Sequence, residues 1–177
     1  MKTKPARNWL QRPGLATLVA VLCLGGCSTS PRGLPSPEAD QQEIATKIAG
    51  IREAILAKSA AGIVQSGTAD WQFTGPDGVS FDRAGFIVRT EALFARIVAI
   101  ESLETHVDRI VLAGANAAEV EITQTMVRSE RAAGTGTVAR FRIRYREHHT
   151  WVRTPDGWRV RRVQFIGTPE RTPLPAS

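Results

Sequence analysis

From Ala139 to Phe165 the chain reads ARFRIRYREHHTWVRTPDGWRVRRVQF. Phe141, Ile143 and Tyr145 alternate with Arg140, Arg142, Arg144 and Arg146. A period of two puts one row of side chains against a core and the other in water. Thr154-Pro155-Asp156-Gly157 then supplies a turn. Proline presets φ for its first corner, and glycine accepts the positive φ that follows. Trp158 to Phe165 returns antiparallel. The result is a long hairpin with one apolar face, which the rest of the chain has to cover.

The upstream segments are built for that. Ser36 is a good helix N-cap, Pro37 suits the first helical position, and Glu38 and Asp40 favour the positive end of the helix dipole. Ile44, Ile48, Ile51 and Ile55 recur at helical spacing and form one apolar face. Ser59 caps a second, shorter helix over Ala60 to Gln65. Trp71 and Phe73 alternate with polar residues before Pro76-Asp77-Gly78, a small hairpin. Asp82 is expected to cap a third helix, with Phe81 and Phe86 as a hydrophobic staple. That helix is read as carrying Phe86, Ile87, Leu93, Phe94, Ile97 and Val98, and as well buried. From Leu103 the period becomes two. Gly114-Ala115-Asn116-Ala117 turns one strand into the next, and Glu119 to Met126 alternates again. The predicted register sets Glu121 opposite Arg144 and Glu119 opposite Arg146, with Val120 and Ile122 meeting Tyr145 and Ile143. Thr168 to Ser177 has three prolines and no apolar pattern, and is expected to be disordered.

The first residues read as an export signal. Lys2, Lys4, Arg7 and Arg12 precede the apolar run Leu15 to Leu24, which is too short for a stable membrane span. Leu24-Gly25-Gly26-Cys27 follows and resembles a bacterial lipobox, in which the chain is cut before the cysteine after its sulfur has been acylated. Residues 1–26 are thus expected to be a lipoprotein signal peptide, with Cys27 the lipidated (diacylglycerol and palmitate-type) anchor and 27–36 a Pro/Gly/Ser tether. More than one acyl chain, at about 0.8 kcal/mol per buried CH₂, makes a stable anchor. Ser28 rather than Asp after the cysteine leans toward the outer membrane, facing the periplasm. Without the signal, 19 basic residues stand against 17 acidic ones, so global charge gives no case for nucleic acid. Cys23 leaves with the signal, and no cysteine pair is left for a disulfide.

Helix, short helix, PDG hairpin, long helix and then strands joined by a Gly-x-Asn-Ala turn and a second PDG hairpin resemble the NTF2-like superfamily. The residues carrying this are Trp71 to Phe81, Gly114 to Ala117 and Trp151 to Phe165, and the likeness is most to the small SnoaL-like and DUF4440-type domains. It covers roughly 37–167. The resemblance implies an α+β fold, a curved antiparallel sheet wrapped around helices as a cone with a pocket at its mouth. It implies no single function, since such domains serve as isomerases, dehydratases and cyclases and as non-enzymatic binding or dimerising modules. The ketosteroid isomerase branch has a carboxylate base just before the proline of the first hairpin. Here Gly75 stands there, and Tyr145, the one tyrosine, lies on a strand rather than the first helix.

Candidate site residues follow from the strand faces. Val120, Ile122, Gln124 and Met126 share one face, and Phe141, Ile143 and Tyr145 the facing one. Gln124 and Tyr145 are the polar members of apolar rows, and a polar group on a core face needs a partner. A ligand site is therefore expected around Gln124 and Tyr145, with Trp71 as an apolar wall and Asp70 or His149 as acid–base candidates. The competing account lets the Tyr145 hydroxyl reach solvent and Gln124 bond neighbouring backbone. His148 and His149 point to opposite faces and make a poor metal pair, and His106 with Asp108 lacks a third ligand, so no metal is expected. No nucleotide-binding loop or nucleophile elbow occurs, and no cofactor is expected. The arginines from Arg140 to Arg162 read as a polar sheet face, partly neutralised by Glu119, Glu121 and Glu147, ahead of an anion-binding surface. The leading expectation is a membrane-tethered, non-catalytic domain of the cell envelope that binds a small apolar ligand or a protein partner. The alternatives are a cofactor-free acid–base isomerase, lyase or hydrolase, and a structural homodimer.

Overall fold

The computed structural model describes residues 36–132 and 134–175. The signal, the lipobox with Cys27 and most of the tether lie outside the described residues. Helix α1 spans Pro37–Leu56, and the Ser36 hydroxyl caps it by accepting the N–H of Ala39 at 3.2 Å. Its four isoleucines are all buried. Each contributes about 1.5–3 kcal/mol on leaving water. Asp40, also on the buried side, is paired with Arg153 of the main hairpin. Helix α2, Ala60–Ile63, is capped by Ser59, and α3, Arg83–Arg96, by Asp82, whose carboxylate accepts the N–H of Gly85 at 2.8 Å. No helix among the described residues is long and apolar enough to cross a membrane.

The strands are β1 (Gly67–Thr74), β2 (Ser80–Asp82), β3 (Ile97–Leu112), β4 (Ala117–Arg131), β5 (Val138–Thr154) and β6 (Gly157–Leu174). They form one curved, unclosed sheet in the order β2-β1-β6-β5-β4-β3. All neighbours are antiparallel except β1 and β6. The two turns read from sequence are in place, with Gly114 and Gly157 at φ 74° and 96°. On the concave side the isoleucines of α1 meet Val120, Ile122, Trp151, Trp158 and Val160 in one core.

Four expectations are corrected. Helix α3 stops at Arg96, and Ile97 and Val98 begin β3; Ile97 is already extended, with ψ 114°. Nor is α3 well buried, since Phe86, Ile87 and Leu93 are half-exposed while Phe94 packs into a small side cluster. The reason is that much of its apolar face borders a cavity. The segment from Thr168 is not disordered as far as Leu174. It extends β6 against β5, with Glu170 opposite Arg144 and Leu174 opposite Arg140. Backbone pairing with a long neighbouring strand orders a segment that has little apolar pattern of its own.

The β4–β5 register also differs. Glu121 lies opposite His148 and Glu119 opposite Thr150, while Tyr145 faces Gln124 and Ile143 faces Met126. The turn sets this: β4 runs on to Arg131, which pairs with Val138, and the Ala132 N–H reaches Thr137 O at 2.8 Å. The offset is an even number of residues, so every side chain keeps its expected face. Glu121 pairs with Arg109 at 2.7 Å and Arg146 at 3.1 Å, not with Arg144.

Candidate functional site

Strand parity builds the site. The inner row of β5 runs Trp151, His149, Glu147, Tyr145, Ile143, Phe141. It pairs in turn with Ala118, Val120, Ile122, Gln124, Met126 and Arg128 of β4. The first pairs are fully buried beneath α1, and the last ones open toward solvent. Between the sheet, α3 and the β1–β2 hairpin lies a cavity of about 700 Å³. That is within the usual range for a small-molecule site, about 300–1,000 Å³. Gln124, Tyr145, His149 and Trp71 all line it.

Four polar groups converge there in one hydrogen-bonded chain. Tyr145 Oη donates to Gln124 Oε1 at 3.2 Å, and Gln124 Nε2 donates to Glu147 Oε2 at 3.1 Å. His149 Nε2 meets the same Glu147 oxygen at 3.0 Å. With the carboxylate ionised, Nε2 carries the proton, and Nδ1 is left buried without a partner. Burial pushes the Tyr145 phenol well above its ordinary range, and the Glu147 charge adds to this.

The apolar wall is aromatic. Trp71 meets Phe86 edge-on with ring centroids 5.0 Å apart, Phe86 meets Phe73 at 5.0 Å, Phe73 meets Phe165 at 5.6 Å, and Phe165 stacks on Tyr145 at 5.1 Å. Such contacts fix the rings in place beyond what area burial alone would do.

Asp70 does not join this group. It precedes the inward-facing Trp71, so it points outward, exposed and bound to Arg161 at 2.8 Å. The bulge where β6 passes Arg161 and Arg162 is present, but its extra residue lies on β6, so His149 keeps its inward face. Glu147 is the residue that sequence reasoning missed, having been assigned to the outer polar face. Its place in the row Ile143, Tyr145, Glu147, His149 was the available signal. Of the outer arginines, Arg140 is held by Glu101, Arg146 by Glu121 and Arg161 by Asp70. His148 faces outward to Glu119 at 3.0 Å. Among the described residues no three His, Cys, Asp or Glu side chains are placed to hold a metal ion. A smaller hollow of about 450 Å³ beside Ala139 and Leu174 has one charged wall residue, Arg140, already bound to Glu101.

No protein-family model matches the chain, and no curated protein matches it. Solved structures do. A conserved protein from Planctomyces limnophilus superposes with a TM-score of 0.62 at 20% identity, over 77% of this chain and 99% of that one. An NTF2-like superfamily protein from Salmonella enterica serovar Typhimurium gives 0.59 at 18% identity, over 75% and 93%. A ketosteroid isomerase-like protein from Erwinia carotovora gives 0.54 at 16% identity, over 71% and 95%. At these identities the likeness is one of fold, and the chain has the NTF2-like α+β cone fold.

Proposed function

We propose that this is a small-molecule-binding domain whose ligand, largely apolar with at least one polar group, sits in the cone. The observation behind this reading is the convergence of Tyr145, Gln124, Glu147 and His149 in an aromatic-walled cavity. Few polar groups among many apolar ones is the usual composition of such a site. The neutral fluorophore N-phenyl-1-naphthylamine tests it. It should bind with a fluorescence rise at about one dye per chain, and Met126→Trp, which narrows the cavity, should weaken the rise in a protein whose circular dichroism is unchanged. Absence of saturable binding to the unaltered protein would sink the reading.

A second reading is cofactor-free acid–base catalysis. Its support is a buried carboxylate–imidazole pair open to a cavity. The Glu147–His149 pair would take and return a proton on the ligand, with the carboxylate holding the imidazole in orientation. Gly75 at the first hairpin argues for a chemistry based on β5 rather than on that loop.

The domain is further proposed to be tethered to a bacterial membrane, the outer one by preference, through acylated Cys27. The support is the order of basic stretch, apolar run and LGGC. Cys27→Ser should leave an unprocessed, non-acylated precursor on fractionation. Unchanged processing and membrane association would remove the tether.

A further inference from the structure

The inner rows change character toward the mouth of the cone. Met126 is followed on β4 by Arg128 and Glu130, both inward by parity, and Arg171 arrives from the C-terminal end of β6, opposite Ile143. Glu130 is shared. Its Oε2 lies 3.0 Å from Arg128, and its Oε1 is bound to Arg171. The guanidinium of Arg171 also stacks 3.7 Å over the Phe141 ring. One carboxylate between two guanidiniums leaves a positive charge, and the Nε of Arg128 is buried with no partner. Burial lowers the Arg128 pKa; Glu130 opposes this and Arg171 adds to it. Across the mouth, α3 contributes Arg89 and Arg96 to the same cavity wall, with Asp77 as the loose partner of Arg89 at 3.9 Å.

The opposite end carries the reverse sign. Glu147 is there, and an anion beside it would be repelled in a dry surrounding. Phe141, level with Arg128, and Glu147 are three inner-row steps apart, about 20 Å of extended strand. Ile143 and Tyr145 lie between these two levels, with Phe165 stacked on Tyr145.

Resting on the binding reading above, we infer that the ligand is an anionic amphiphile. Its carboxylate or phosphate head is held at the rim by Arg171 and Arg128, with Arg89 and Arg96 facing them, and its apolar body extends inward toward Tyr145 and Trp71. The planar guanidinium is the side chain suited to either oxyanion. Glu130 positions the two rim arginines and sets the direction of binding jointly with Glu147.

Displacement of N-phenyl-1-naphthylamine reads this out. Decanoate and decyl phosphate should each be compared with decanol, a neutral competitor of equal chain length. At least one of the two anions should displace the dye at a concentration tenfold or more below that of decanol, and the stronger one identifies the head. Arg171→Gln and Arg89→Gln, both at exposed positions, should shrink that preference severalfold while dye binding itself is kept. Added salt should do the same. Equal displacement by decanol and both anions, with the dye still bound, overturns the anionic head and leaves the cavity reading intact. Failure of the dye to bind overturns the cavity reading and this inference with it.

Discussion

Glu43, half-buried on α1, accepts the backbone N–H of Trp158 at 2.8 Å. The contact fixes the first helix to the turn of the main hairpin, and Gly157 lies directly beneath the carboxylate. A Cβ at position 157 would collide with Glu43 Oε1 and would also be strained at φ 96°. Gly157→Ala is expected to cost about 1–3 kcal/mol from backbone strain alone, measured by thermal denaturation. Glu43→Ala should cost about 1 kcal/mol for the lost hydrogen bond. In the double variant the collision is gone, so the two losses should sum to more than the measured one.

The polar chain in the cavity has Gln124 at its centre. Gln124→Leu removes the partner of Tyr145 and one of the partners of Glu147 together, and should destabilise by about 1–3 kcal/mol. Tyr145→Phe removes one donor and should cost about 1 kcal/mol. A double-mutant cycle by urea denaturation should show coupling between the two, because they share one hydrogen bond. Strict additivity would mean that the bond contributes nothing in solution.

Alkaline titration gives an independent measurement. Tyr145 is the single tyrosine, so phenolate absorbance reports one site. Its pKa is raised in the fold, first by burial and then by Glu147. The unfolded chain therefore loses this proton first, near pH 10, and the folded state retains it. Stability from this source is whole below pH 10 and falls as pH rises toward the folded value. Phenolate should appear at higher pH in the folded protein than in the urea-unfolded chain, and Tyr145→Phe should flatten the alkaline limb of the stability curve. Reversible ionisation in a still-folded protein near pH 10 would contradict a sequestered phenol.

On the outer face, Glu121→Ala should couple by about 0.2–1 kcal/mol with Arg109→Ala and with Arg146→Ala, weakening with salt. With Arg144→Ala it should not couple. Coupling to Arg144 would restore the register expected from sequence.

Deleting Thr168 onward should lower the melting temperature. It removes the strand pairing from Arg144 to Arg140 and uncovers the Phe141 ring. A disordered tail could be cut without effect, so an unchanged melting temperature would return that segment to the status first read for it.

Much of this was legible because the signals were local. Ser36, Ser59 and Asp82 announce helix starts through one side chain and one amide. The facing of Gln124 and Tyr145 follows from parity, which an even offset in register does not disturb. The register itself depended on where β4 ends, and that is decided by the loop between Arg131 and Val138, whose sequence carries several compatible turns. Arg128 and Glu130 obey the same parity as Met126 but read as a strand end, because a sequence does not show where a cone opens to water. Glu147 was misplaced for a related reason: a carboxylate in an inner row makes sense only once Gln124 and His149 are known to meet it. Asp70 was offered on proximity to Trp71, and one residue along a strand is the opposite face.

The parallel pairing of β1 with β6 sets an order of events. The meander β3 to β6 is joined by successive hairpins and can zip from its turns. Joining Gly67 to Val160 instead closes a loop around most of the domain, and the entropy of such closure is met before its contacts are gained. Trp71 and Phe73 ride on the late strand, so the aromatic wall should be completed last in folding.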